Sequence, residues 1–156
     1  MSALKLGLDQ TNSQQRDQKI SQIMILADHP FLMESEYWYL ALELNRMSAW
    51  EPLTRILSKA ITQYPKDFNI LDINAGYLEQ KELFSQAIPF RERQIAIEPR
   101  HPRVWLSYAY DLNAAGRKTE AGLAFGKVVR FKEFLDPKII SQLSEIAKEL
   151  GVSYSG

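Results

Sequence analysis

Apolar residues recur along the chain at the spacing of an amphipathic helix, and that helical pattern is itself repeated every 34 residues from Glu34. Displacing the sequence by 34 sets Tyr37 over Leu71 and Trp105, Ala41 over Ala75 and Ala109, Leu44 over Leu78 and Leu112, and Leu53 over Ala87 and Ala121. The same shift superposes Ile61, Ile95 and Val129, and it matches Pro65 to Pro99. Large and small positions recurring in register mark a repeat architecture, in which each unit buries its apolar face against its neighbours. The pattern predicts paired helices. The first pair runs from about Glu34 to Met47, with Tyr37, Leu40, Ala41 and Leu44 inward, and from about Glu51 to Gln63, with Leu53, Ile56, Leu57, Ala60 and Ile61 inward. The second uses Leu71, Ala75 and Leu78, then Ala87, Ile88, Phe90, Ile95 and Ile97; the third uses Trp105, Tyr108, Ala109 and Leu112, then Ala121, Ala124, Phe125, Val128 and Val129. Pro52 and Pro89 fall early in second helices, where a missing N–H costs little. Gly116 is placed to leave a helix in the left-handed conformation.

The ends of the chain break the period. Residues 1 to about 10 read as a frayed tail, and from about Asn12 a stripe of Ile20, Ile23, Met24 and Ala27 predicts a helix stopped by His29 and Pro30. After the third repeat, Glu133 stands where Pro65 and Pro99 stood. Asp136 as N-cap and Pro137 as first helical residue then open a last helix, striped by Ile140, Leu143, Ala147 and Leu150 and closed by Gly151. The two flanking helices are expected to cap an array whose terminal units would otherwise expose apolar faces. The fold class is therefore all-α, an α-solenoid of helix-turn-helix repeats. Its expected segments are 1–33 for tail and capping helix, 34–67, 68–101 and 102–135 for the three repeats, and 136–156 for the closing helix and tail.

Composition narrows the chemistry. The chain has 156 residues, 46% hydrophobic and 24% charged, which is ordinary for a folded protein. Nineteen basic residues balance nineteen acidic ones, so no global field draws in nucleic acid or an anionic membrane. The balance is uneven locally: residues 102–135 hold six basic against three acidic groups, and residues 34–101 hold eight against ten. Arg103, Arg117, Lys118, Lys127, Arg130 and Lys132 make up the basic excess, too small a cluster to predict nucleic-acid binding. Cysteine is absent, which removes disulfides, thiolate catalysis and sulfur-based zinc sites. The start lacks the pattern of a secretory signal, and no run approaches the ~20 apolar residues of a membrane span. A cytoplasmic protein is expected, or an excised soluble domain of a secreted or membrane-anchored one.

No catalytic constellation emerges. His29 and His101 both precede prolines in predicted turns, far apart in sequence. The glycines at 116, 122 and 126 form no phosphate-cradling loop, and the latter two are placed within a helix at packing spacing. Carboxylates such as Glu34 and Glu36 are first-turn charges favoured by the helix dipole. The expectation is a protein that is not an enzyme and takes no cofactor or metal.

The residues of the period resemble the tetratricopeptide repeat. That unit of 34 residues favours an early aromatic or Leu, a Leu-small pair, a small residue opening the second helix and a closing Pro. The third repeat follows it most fully through Trp105, Tyr108-Ala109, Leu112, Gly116, Ala121 and Phe125; the first keeps Leu40-Ala41, Leu44, Ala60 and Pro65. The second departs, with Asn74 in place of a large apolar residue and Gln94 in place of a small one. The resemblance implies a tetratricopeptide-like superhelix that binds a protein or peptide ligand in a concave groove lined by the first helix of each repeat. The matching positions here are Trp38, Leu42, Asn45 and Arg46 in the first repeat, Asn69, Asp72, Glu79 and Gln80 in the second, and Arg103, Leu106, Tyr110 and Asn113 in the third. Trp38, Leu42, Leu106 and Tyr110 lie off the core stripe yet are large and mostly apolar, which suits an apolar peptide or helix as ligand. Trp38 and Leu42 also stand where a subgroup of such arrays carries a carboxylate clamp, so tight capture of acidic C-terminal peptides is not expected. The implied function is that of a scaffold or adaptor in a larger assembly. The alternative is a bacterial secretion chaperone of the translocator type, which has a similar length and repeat number. Membrane insertion is not expected, and a homodimer through an exposed Trp50 or an open edge is an alternative state.

Overall fold

A computed structural model describes the backbone of residues 3–154 and the side chains of residues 12–154. Every regular element among them is helical: α1 (Ala3–Ala27), α2 (Glu34–Arg46), α3 (Trp50–Gln63), α4 (Phe68–Gln80), α5 (Phe84–Ile97), α6 (Pro102–Ala114), α7 (Lys118–Arg130) and α8 (Pro137–Leu150), with a 3₁₀ turn at Lys132–Phe134. The chain divides into two compact units, Met1–Ile70 and Leu71–Gly156, the division falling within α4.

The 34-residue period is written into the backbone as well as the side chains. The N–H groups of Ala49, Leu83 and Arg117 donate to the carbonyls of Leu44, Leu78 and Leu112 at 2.9, 2.9 and 2.8 Å, each closing the same ring at the end of a first helix. Inside each ring one residue takes a left-handed conformation: Ser48 (φ 53°), Glu82 (φ 58°) and Gly116 (φ 80°). Only the third is glycine, the residue that adopts this geometry without a Cβ penalty. The next helix starts from the same hydrogen bond in all three, Leu53, Ala87 and Ala121 donating to Ala49, Leu83 and Arg117.

In the N-terminal unit, Ile23 and Ala27 of α1 join Tyr37, Leu40, Ala41 and Leu44 of α2 and Leu53, Ile56, Leu57 and Ala60 of α3 in the interior. The α1–α2 connection is pinned from α3 and beyond. Lys59 donates to the Ala27 carbonyl and pairs with Asp28, while the Tyr64 hydroxyl donates to the Leu32 carbonyl at 2.7 Å and its ring meets Tyr37 edge-on. Lys59 holds the Asp28 carboxyl below its usual range. In the C-terminal unit, Ile88, Ala109, Leu112, Ala121, Ala124, Phe125 and Val128 form one cluster with Leu135, Leu143, Ala147 and Leu150, so α8 completes a core begun by α5, α6 and α7. Asp136 caps α8 by accepting the Lys138 N–H at 2.8 Å, and Gly151 closes it in the left-handed region at φ 66°.

Five expectations are corrected. The helix of α1 reaches back to Ala3, so residues 3–10 are not a tail; residues 1 and 2 lie outside the described part. Pro89 lies inside α5 rather than in its first turn, because that helix already begins at Phe84. Ile97 is exposed at the end of α5, where the helix has run past the core. A Cβ on Gly126 would meet nothing within 4 Å, so its spacing is not one of packing, whereas a Cβ on Gly122 would meet Val152 at 3.3 Å. Trp50, expected to be exposed, is half-buried at the start of α3.

Candidate partner-binding face

The proposed groove positions are described separately for each unit. On α2, Trp38 is 44% exposed although its neighbours Tyr37, Leu40 and Ala41 are buried, and Leu42 is half-buried. Asn45 is half-buried, with an Oδ1 atom that is enclosed and accepts no hydrogen bond. Arg46 is exposed and pairs with Glu43 at 3.1 Å. Glu43 also receives Lys19 of α1 at 2.6 Å, and that bond, more than the others, holds its carboxyl below the usual range. Arg16 of α1 donates twice to the Met47 carbonyl, at 3.0 and 2.9 Å. The capping helix therefore grips the C-terminal end of α2 and leaves Trp38 exposed. Asn69 is exposed in the first turn of α4, a turn set by the Asp67 carboxylate accepting the Ile70 N–H at 2.8 Å.

In the C-terminal unit the groove positions of α4 are not idle. Arg91 of α5 is 4% exposed and draws the carboxylates of Asp72 and Glu79 onto its guanidinium, at 2.5 and 2.7 Å. It also donates to the Gln94 side-chain oxygen at 2.7 Å. By the period, Arg91 stands where the flanking repeats have Leu57 and Phe125, and Gln94 where they have Ala60 and Val128. The second repeat thus has a polar interior, satisfied by acids placed at groove positions. A buried guanidinium requires such partners, because an unpaired one would lose its hydration for nothing in return. Burial works against the Arg91 charge, but Glu79 and Asp72 outweigh it and raise its pKa.

Asp111 of α6 lies on the far side of this cluster, its Oδ2 4.0 Å from Arg91 Nε. It is 1% exposed, shares a hydrogen bond with Glu79, and leaves Oδ2 without a hydrogen-bond donor. Burial first, then the Glu79 charge, push its pKa up to about 8. Gln80 is exposed and Glu79 half-buried.

On α6, Arg103 is exposed, Leu106 and Asn113 are half-buried, and Leu106 packs against the α7–α8 core. Tyr110 is 36% exposed and donates its hydroxyl to Glu149 of α8 at 3.1 Å. Its pKa is pushed up to about 12, by burial and then by the Glu149 carboxylate. The closing helix therefore occupies part of the face that α6 would offer a ligand.

Chemistry is sparse elsewhere. His29 accepts the Phe31 N–H in a turn, and His101 accepts the Val104 N–H as the N-cap of α6, so both imidazoles serve the local backbone. Among the described residues no group of three or more metal-ligating side chains converges, and no helix is long and apolar enough to cross a membrane. The sequence reading missed Arg91 and Asp111. Applying the same 34-residue shift to polar residues was the signal that exposes them.

No protein-family model matches the chain, and no curated protein matches it in sequence. Solved structures of MamA do match in fold. MamA 41-end from Desulfovibrio magneticus RS-1 superposes with a TM-score of 0.68 at 14% identity, over 94% of this chain and 83% of that one. MamA of AMB-1 gives 0.67 at 14% identity over 94% and 80%, and MamA of MSR-1 gives 0.66 at 14% over 94% and 84%. MamA is a tetratricopeptide-repeat protein, and at this identity the likeness is one of fold.

Proposed function

We propose that this chain, which has the tetratricopeptide-repeat α-solenoid fold, is a protein-interaction scaffold rather than an enzyme, and that it takes a peptide or helix of its partner on the outward face of the first helices. Trp38 carries the reading. The interior of the N-terminal unit is complete without it, yet an indole stands on the surface of α2 beside half-buried Leu42. Aromatic side chains held rigidly on a helix are the residues on which binding energy concentrates. Asn45 and Arg46, about two turns further along from Trp38, supply the polar contacts that would fix a ligand's register.

Photo-crosslinking tests the face directly. A benzophenone amino acid at position 46, on α2 about two turns from Trp38, is expected to capture a partner in the source cell that Trp38→Ala loses, and one at Leu123, an exposed apolar residue of α7, is expected to capture it weakly. Equal capture from position 123 would remove the first-helix face from the proposal.

A further inference from the structure

Three exposed cations of the C-terminal unit, Arg100, Lys127 and Arg130, are turned onto aromatic rings, and no carboxylate pairs with them among the described residues. The Arg100 guanidinium lies 5.4 Å from the Phe134 ring centre and 5.9 Å from that of Phe131. Arg130 lies 5.6 Å from Phe131, and Lys127 6.0 Å from Trp105. The indole of Trp105 is fixed by donating to the Pro99 carbonyl at 2.8 Å. A cation resting on a ring keeps its charge and its outward N–H donors, so it is held in place without being neutralised.

Two clefts open on this array. One of about 720 Å³ is lined by the turn from Glu98 to Arg103 and by Phe134, which is 58% exposed. The other, of about 520 Å³, contains Trp105, Lys127, Arg130, Phe131 and Glu133. They meet at Pro99 and Arg100, which line both. Their walls hold four cations, Arg100, Arg103, Lys127 and Arg130, against two carboxylates, Glu98 and Glu133.

We propose that this surface docks an acidic segment of a partner protein, its carboxylates pairing with Arg100, Lys127 and Arg130 and an apolar side chain entering the cleft walled by Pro99, Pro102 and Phe134. Guanidinium groups already oriented by rings suit the planar fork of a carboxylate. A peptide fits better than a nucleic acid strand. The Trp105 and Phe131 faces that would stack bases carry cations, and Glu98 and Glu133 would oppose a continuous run of phosphates. The surface combines the α5–α6 turn with the end of α7 and shares only Arg103 with the first-helix face, so it stands independently of that reading.

Random twelve-residue peptides displayed on phage and selected on the full chain at low salt test the proposal. Winners rich in Asp and Glu with one large apolar residue are expected. A synthetic winner should shift the indole N–H resonance of Trp105, assigned by Trp105→Phe, and its Kd should rise at least tenfold in an Arg100→Glu, Lys127→Glu variant. Arg100→Gln with Lys127→Gln replaces that variant if its circular dichroism shows loss of fold. Neutral or basic winners, no winners, or a shift confined to the Trp38 indole would overturn the proposal. So would tighter binding of a fifteen-nucleotide oligouridine than of the best acidic peptide, which would assign the surface to nucleic acid.

Discussion

Tyr110 of α6 and Glu149 of α8 are joined by a hydroxyl-to-carboxylate hydrogen bond of 3.1 Å between residues 39 apart in sequence. The bond lies at the protein's edge, so it is worth little stability, but it fixes how far α8 covers α6. Tyr110→Phe is expected to cost about 1 kcal/mol or less while raising amide exchange in α8 severalfold over that in α7. Unchanged exchange would show that the apolar contacts of Leu143, Ala147 and Leu150 alone hold the helix down.

Removing Arg91 isolates the carboxylates around it. Arg91→Ala is expected to destabilise by about 2 to 4 kcal/mol, because the cavity left in α5 adds to the lost counter-charge of Asp72 and half-buried Glu79. Arg91→Lys is expected to recover only part of this, since a point ammonium lacks the planar fork whose separate nitrogens reach Asp72, Glu79 and Gln94. Urea denaturation of the three proteins checks the order.

The proton at Asp111 makes stability fall on the alkaline side. Its folded pKa is raised above that of the unfolded chain, so the folded state keeps a proton the unfolded state has released. Stability is then lost as pH rises from the ordinary carboxylate range through about 8. Asp28 and Glu43 have lowered values and act in the opposite direction, losing their pairs as pH falls. A maximum at mildly acidic pH follows. Asp111→Asn is expected to flatten the alkaline limb and to exceed wild type at pH 9 by about 1 to 3 kcal/mol. Denaturation midpoints at pH 5, 7 and 9 decide it; parallel curves would place no proton there.

Three substitutions at the small residues have opposite signs. Ala109 is fully buried in the α5–α8 core, and Ala109→Phe is expected to cost roughly 1 to 3 kcal/mol by overpacking. Gly126→Ala enters open space in mid-helix and is expected to stabilise by about 0.5 to 1 kcal/mol. Gly151→Ala is expected to destabilise by about 1 kcal/mol, since φ is 66° there. Thermal melts should rank Gly126→Ala above wild type and the other two below it.

What the sequence disclosed was mostly local or periodic. The Asp136 and Gly151 caps, the left-handed Gly116 and the buried series Ala41, Ala75 and Ala109 follow from one residue's conformational freedom or from a repeated small position. The misses arise where tertiary contacts overrule local pattern. The helix from Ala3 has no apolar stripe to announce it, and Ile97 has the spacing of a core residue but lies where α5 has outrun its neighbours. At the candidate face, the sequence named positions but not the contacts those residues make. Asp72 and Glu79 read as solvent-facing acids, and only the structure brings Arg91 to them from another helix. Tyr110 likewise read as open, because nothing in its own helix reports where Glu149 will lie.

The left-handed step at Ser48, Glu82 and Gly116 is taken by three chemically unrelated residues within the same hydrogen-bonded ring. Closure of the hairpin is thus a property of its backbone and its packing, and the residue at the apex is released from any duty to the fold beyond tolerating φ > 0. Apex side chains can diverge between copies while the hairpins stay interchangeable parts, which makes the bend between the two helices a place where this protein can acquire surface chemistry without redesigning its interior.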